Sequence, residues 1–171
     1  STGNGNCNAV NDVVTFSITP APTANAGADQ TLCGNNPVAT LGGSFTVATG
    51  GVWSGGNGSF DPSTTNMNAT YTPTATEIAN GNVTLTLTTT GNGSCSQVSD
   101  NITLSFTASP TVNAGADVSR CANNATIALS GSLTVATGGV WGGGFGSFSP
   151  NNSTLNATYT PTAAEIAAGT L

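Results

Sequence analysis

The chain repeats itself at a period of 88 residues without a gap, Cys7 returning as Cys95, Cys33 as Cys121, Trp53 as Trp141, Tyr71 as Tyr159 and Glu77 as Glu165. TVATGGVW occurs at Thr46–Trp53 and again at Thr134–Trp141, and NAGAD at Asn25–Asp29 and Asn113–Asp117. A fixed period means that one structural unit is used repeatedly, so the fold is read per repeat and the function is sought in what an array does. Residue 1 aligns with residue 89 and Leu171 with Val83, so two full periods lack only the counterparts of Thr84–Thr88, in the middle of a strand. The expectation is a window of a much longer repetitive polypeptide.

Charge is nearly absent. The chain has no His, one basic residue (Arg120) and seven acids, so charged residues make up 5 % of it, against roughly 25 % in ordinary domains. Solubility then rests on Thr, Ser, Asn and Gly. A net charge of −6 leaves nothing to neutralise phosphates, which argues against nucleic-acid partners and anionic membrane surfaces. No apolar run approaches the ~18–20 residues of a membrane span. The lone Arg offers trypsin a single site, which suits a surface exposed to proteases.

The pattern within each repeat is all-β. Val83, Leu85 and Leu87 alternate with Thr84, Thr86 and Thr88, and Ile102, Leu104 and Phe106 alternate with Thr103, Ser105 and Thr107. That is the period-2 signature of half-buried strands. Gly91–Ser94 makes the pair a hairpin. Val14, Phe16 and Ile18 repeat the second strand one period earlier. Shorter strands are expected around Leu41, Trp53, Phe60 and Tyr71, where β-branched Thr suits a pleated sheet. Thr74-Ala-Thr-Glu77 after Pro73, with Gly81 beyond, reads as a capping box on one helical turn, and Thr162, Glu165 and Gly169 repeat it. Glu77 and Glu165 are therefore read as caps rather than catalysts. Roughly seven strands with a Trp on the third predict tandem immunoglobulin-like β-sandwiches in an end-to-end array. The division is 1–20 as the last strand of a preceding repeat, 21–109 as a complete repeat, and 110–171 as a following repeat without its last strands.

The opening Asn25-Ala-Gly-Ala-Asp29-Gln30, followed by Leu41 and Gly43, resembles the start of PKD-type (polycystic kidney disease) immunoglobulin-like domains; Asn113, Ala114, Gly115 and Asp117 return in the second copy. With Trp-Ser-Gly-Gly-x-Gly-Ser-Phe at Trp53–Phe60, Tyr-Thr-Pro at Tyr71–Pro73, the Val-Thr-Leu-Thr strand and the Gly-x-Gly-Ser-Cys turn, the chain resembles repeats of giant cell-surface adhesins of Bacteroidota, including SprB-like gliding-motility adhesins. The resemblance covers the whole chain. It implies type 9 secretion, an extracellular, cell-surface location, and adhesion or gliding motility.

The cysteines have no His and no CxxC beside them, so disulfides in an oxidising compartment are the natural reading. Cys33 paired with Cys95 closes a 62-residue loop, a bond that typically contributes ~3–4 kcal/mol. Cys7 and Cys121 then find partners in neighbouring repeats. An alternative stays open: in an immunoglobulin-like order Cys33 and Cys95 sit at opposite poles, and Cys33 meets the Cys95 counterpart of the next repeat instead.

Without His or Lys, hydrolase triads, Schiff bases and Lys–Asn cross-links are excluded. No catalytic residue and no cofactor are expected. The recurrent Asp29, Asp117 and Asp100 (with Asp12 before it) are weak Ca²⁺ candidates at domain junctions, against a simpler role capping turns. Asn57, Asn68, Asn82, Asn101 and Asn156 open Asn-x-Ser/Thr triplets, weak signals for glycans. Trp53, Trp141, Tyr71, Tyr159, Phe60 and Phe148 are read as core. Phe145, whose counterpart is Asn57, is an exposed residue suited to lateral contact.

The functional reading is a non-catalytic structural repeat, the stalk of a long extracellular adhesin or filament. Its partners are neighbouring repeats, with lateral self-association into filaments as a further step. The alternatives are a binding module for glycans or for ice, motivated by the Thr84, Thr86 and Thr88 ladder, and a small subunit that polymerises by strand exchange.

Overall fold

Strands follow wherever alternating Thr and aliphatic residues find a neighbour to pair with. The structure, a computed structural model, describes residues 1–170. The strands of the first repeat are β1 (Thr23–Asn25), β2 (Gln30–Cys33), β3 (Ala39–Thr40), β4 (Ser44–Thr46), β5 (Gly50–Ser54), β6 (Ser59–Asp61), β7 (Thr70–Thr72), β8 (Asn82–Thr90) and β9 (Ser99–Thr107), with helix α1 (Ala75–Asn80) before β8. The second repeat contributes β10 (Thr111–Asn113), β11 (Ile127–Ala128), β12 (Ser132–Thr134), β13 (Ser147–Ser149), β14 (Thr158–Thr160) and helix α2 (Ala163–Ala168).

In the first repeat one sheet has the order β2-β9-β8-β5 and a second the order β3-β7-β6, with β1 paired to β4. β8 and β9 form the hairpin, Leu85 opposite Ile102 and Val83 opposite Leu104, and β5 runs antiparallel to β8 with Trp53 opposite Leu87. Val83, Leu85, Leu87, Ile102 and Leu104 point inward with Trp53, and Ala39 and Tyr71 of the other sheet, with Leu41 and Ala69 beside it, are buried with them. A four-strand and a three-strand sheet, with the central Trp on the strand beside the hairpin, make an all-β immunoglobulin-like sandwich.

The chain divides into two units, Ser1–Gln30 with Val38–Ser105, and Thr31–Pro37 with Phe106–Leu171, so the division falls within β2 and β9. In the second, β10 pairs with β12, and β14 lies between β11 and β13, register for register as in the first repeat. The second TVATGGVW departs from the first. Gly138–Gly144 forms no strand, and Val140 is 73 % exposed. The physical reason is pairing: β5 is held along its length by β8, whereas no strand pairs with Gly138–Gly144 among the described residues. Residues 11–20 are likewise in no strand despite their alternation, with Phe16 82 % and Ile18 94 % exposed.

Candidate functional site

Among the described residues Glu77 is the one buried carboxylate, and it sits in the same constellation that Glu165 occupies in the second repeat. Its placement starts with α1. Thr74, with extended backbone, is the N-cap; its hydroxyl accepts from Glu77 N, and the Glu77 carboxylate turns back to the Thr74 N–H, while Gly81, at φ 83°, closes the helix left-handed. The carboxylate then does more than cap. Oε2 accepts from Thr74 N (2.7 Å) and from the Thr74 hydroxyl (2.9 Å), and Oε1 accepts from Asn57 N (2.7 Å) and from the Tyr71 hydroxyl (2.8 Å). The Tyr71 hydroxyl in turn accepts from Gly58 N at 2.9 Å, and its ring packs against Phe60 with centroids 4.9 Å apart. One carboxylate thus fastens α1, β7 and the Gly55–Gly58 loop together.

The second repeat reproduces it. Glu165 accepts from Thr162 N, the Thr162 hydroxyl, Phe145 N and the Tyr159 hydroxyl, and Gly146 N donates to that hydroxyl. Phe148 packs on Tyr159 at 4.8 Å. The loop must be glycine where it crosses the ring: a Cβ on Gly56 or Gly58 would collide with the Tyr71 hydroxyl and ring.

These bonds set the electrostatics. Burial pushes the Glu77 carboxyl upward, but the Thr74 and Asn57 amides and the two hydroxyls outweigh it and hold it below the ordinary carboxylate value. For Glu165 the Phe145 and Thr162 amides prevail over desolvation and bring it to about 2. Tyr71 is pushed up to about 12 by burial and by donating to the Glu77 carboxylate, and Tyr159 is raised for the same reasons. A general acid or base works best with a pKa near the operating pH. These carboxylates are fully ionised and fully hydrogen-bonded at neutral pH, which makes them fasteners.

The other sequence-selected residues fall as follows. Trp53 and Tyr71 are buried, Tyr159 is 5 % exposed, and Trp141, Phe60 and Phe148 are half-buried. Phe145 is 91 % exposed. Asp29 and Asp100 are engaged by backbone: Asp29 Oδ1 accepts from Thr103 N at 2.8 Å and Asp100 Oδ2 from Ala26 N at 2.9 Å. Asp12 bonds its neighbour Val13 N, and Asp117 is exposed. No three metal-ligating side chains gather among the described residues. Asn57, Asn68, Asn82, Asn101 and Asn156 are exposed. On β8 only Thr84 of the Thr ladder is fully exposed, and Thr86 faces Asn101 rather than another Thr.

The pairing of Cys33 with Cys95 is corrected. No disulfide joins any two of the four cysteines within this chain. Cys33 lies beside the C-terminal end of β9, where Gly34 N donates to Thr107 O, whereas Cys95 lies in the turn before β9 begins. A strand of 9 residues at ~3.3 Å each separates the two ends by far more than the ~7 Å that a disulfide spans between Cα atoms.

Sequence reading reached Thr74, Glu77, Tyr71 and their counterparts but missed the loop amides of Asn57, Gly58, Phe145 and Gly146. The signal was the Gly-Gly-x-Gly spacing kept in both copies at Gly55–Gly58 and Gly143–Gly146.

No protein-family model and no curated protein matches the chain. Among solved structures it is similar to the extracellular cadherin domains 3–6 of protocadherin gamma B2, at 13 % identity and a TM-score of 0.39. The likeness covers 82 % of this chain and 39 % of that one. The strand topology described above, rather than this likeness, establishes the architecture.

Proposed function

We propose that the chain is a non-catalytic structural repeat of a long extracellular adhesin or surface filament, with residues 21–109 as its complete repeating domain and neighbouring repeats as its main partners. The observation that carries this reading is the duplicated fastening: Glu77 and Glu165, the side chains best placed for chemistry, are both committed to tying a helix, a strand and a loop together. A chain that places the same architectural joint one period apart fits an array whose purpose is length and stiffness. The near-absence of charge and the exposed Asn and Thr surface fit the same role. The resemblance to repeats of Bacteroidota gliding-motility adhesins extends the reading to type 9 secretion and a cell-surface stalk.

The test is the mass of the native polypeptide on a reducing denaturing gel of surface material. A band of hundreds of kilodaltons supports a giant repetitive stalk. A band near the 16.6 kDa of this chain overturns it in favour of a small subunit that assembles into polymers.

A further inference from the structure

Two thiols of different kinds are placed against the same position of the repeat. Cys33 Sγ lies 4.0 Å from the carbonyl oxygen of Ala108, and Cys95 Sγ lies 3.8 Å from the carbonyl oxygen of Pro20. Pro20 and Ala108 are one period apart. The first thiol therefore approaches that carbonyl from the repeat preceding it, and the second from the repeat following it. Wherever both kinds are present at one junction, both sulfurs lie against the same carbonyl, no farther apart than those two legs laid end to end.

Burial points the same way. Cys33, with β9 beside it, and Cys95, in the turn of its hairpin, are half-buried, whereas Cys7 and Cys121 are exposed. The repeat at 21–109 thus holds a half-buried thiol at each of its ends.

We infer that Cys33 forms a disulfide with the counterpart of Cys95 one period further along the polypeptide, so that every junction between repeats is stapled by one bond; this rests on the reading of the chain as part of a longer array. By the same rule Cys95 pairs with the Cys33 counterpart one period upstream. The partners of Cys7 and Cys121 also fall outside residues 1–171, in agreement with no disulfide joining any two cysteines within this chain. The bond forms by exchange with a protein disulfide oxidant. One cysteine thiolate attacks the oxidant's disulfide, giving a mixed disulfide and releasing one oxidant thiol. The second cysteine thiolate resolves it and releases the other. Two electrons and two protons pass to the oxidant, which leaves as a dithiol.

The experiment uses native polypeptide, alkylated before any reduction and cut by limited proteolysis at the exposed junctions between repeats. Stapled junctions keep the fragments joined on a non-reducing gel, and reduction collapses them to single repeats. Fragments that separate without reduction overturn the inference, whether the cause is pairing within repeats or free thiols. A second measurement uses this chain lengthened by a copy of residues 84–108 and oxidised with a glutathione couple. Peptide mapping is expected to join Cys33 to the added cysteine and to find Cys7, Cys95 and Cys121 alkylated; Cys33→Ser frees the added thiol. A Cys33–Cys95 link, or an alkylated Cys33 when Trp141 fluorescence shows the added strands folded, overturns it. Failure of the array reading itself is distinguished by the reduced, uncut mass.

Discussion

Removing a single hydroxyl tests the joint at residue scale. Tyr71→Phe leaves the ring on Phe60 but deprives Glu77 Oε1 of a donor and Gly58 N of its acceptor, so it is expected to cost about 1–3 kcal/mol. Glu77→Gln sets an amide donor against the Thr74 or Asn57 N–H and is expected to cost more, about 2–3 kcal/mol. Urea unfolding of both variants checks the order, and equal stability with the parent chain overturns the assignment. The same joint makes pH-dependence two-sided. The folded pKa values of Glu77 and Glu165 lie below those of the unfolded chain, which therefore binds more protons in that range. Stability is full above the unfolded carboxylate value of about 4.5 and is lost as pH falls toward about 2. Tyr71 is shifted the other way, so its contribution holds below about 10 and is lost as pH rises toward about 12. Midpoints from urea titrations across that range are expected to show a plateau with both shoulders; Tyr71→Phe removes the Tyr71 contribution to the alkaline one. Of this joint, Thr74 and Glu77 are readable from spacing, since an N-cap and its N3 partner are local. The amides of Asn57 and Gly58 are not, because they arrive through tertiary packing. Nor does any residue type announce that Val47 and Val135 take left-handed backbone, at φ 66°, where β-branched side chains are strained.

Element scale separates what a sequence encodes from what a neighbour supplies. The same eight residues, TVATGGVW, carry most of strand β5 in one copy and, beyond Thr134 at the end of β12, no strand in the other. Alternation made β8 and β9 legible because their inward residues are aliphatic and their outward ones Thr. It made Val14, Phe16 and Ile18 equally legible as a strand, yet they are exposed without a partner. Strand propensity is a statement about fitting a pleated neighbour, and it is realised only when that neighbour is present. In the second repeat the uncovered side of Trp141 opens a groove of about 190 Å³ with Val112, Val140 and Leu155 on its walls. Trp53, at 1 % exposure, has Leu87 opposite it in that place. Acrylamide quenching is therefore expected to separate the two indoles. Trp141→Phe leaves a blue-shifted, protected Trp53, and Trp53→Phe leaves a red-shifted Trp141 quenched several-fold faster. Equal quenching rates contradict the difference between the copies.

At the scale of the whole molecule, the period was fully legible, and so was the sandwich class, because both follow from patterns a single chain displays. Thiol connectivity was not, since it depends on which strand ends meet and not on spacing. What the sandwich gains mechanically comes from the strand order that sets β2 beside β9. Asp29 accepts from Thr103 N, Gly34 N donates to Thr107 O, and the Thr107 hydroxyl donates to Leu32 O, so the two strands advance in the same sense. In a domain pulled through its two chain ends, strands in that relation slide past one another, and their bonds must break together instead of one at a time. Asp29 and Asp100 add side-chain stitches to the backbone of residues far along the chain. Asp29→Ala and Asp100→Ala are each expected to remove about 1 kcal/mol of net hydrogen-bond stabilisation, and up to about 3 kcal/mol where the backbone N–H is left buried. If the stitches are already broken in the unfolding transition state, unfolding accelerates by roughly fivefold or more. Single-molecule extension of an array carrying either substitution in every repeat measures this directly. A lower unfolding force at equal pulling speed is the expected outcome. An unchanged force with reduced equilibrium stability means that the stitches hold the fold but do not resist tension, and that resistance lies elsewhere in the sandwich.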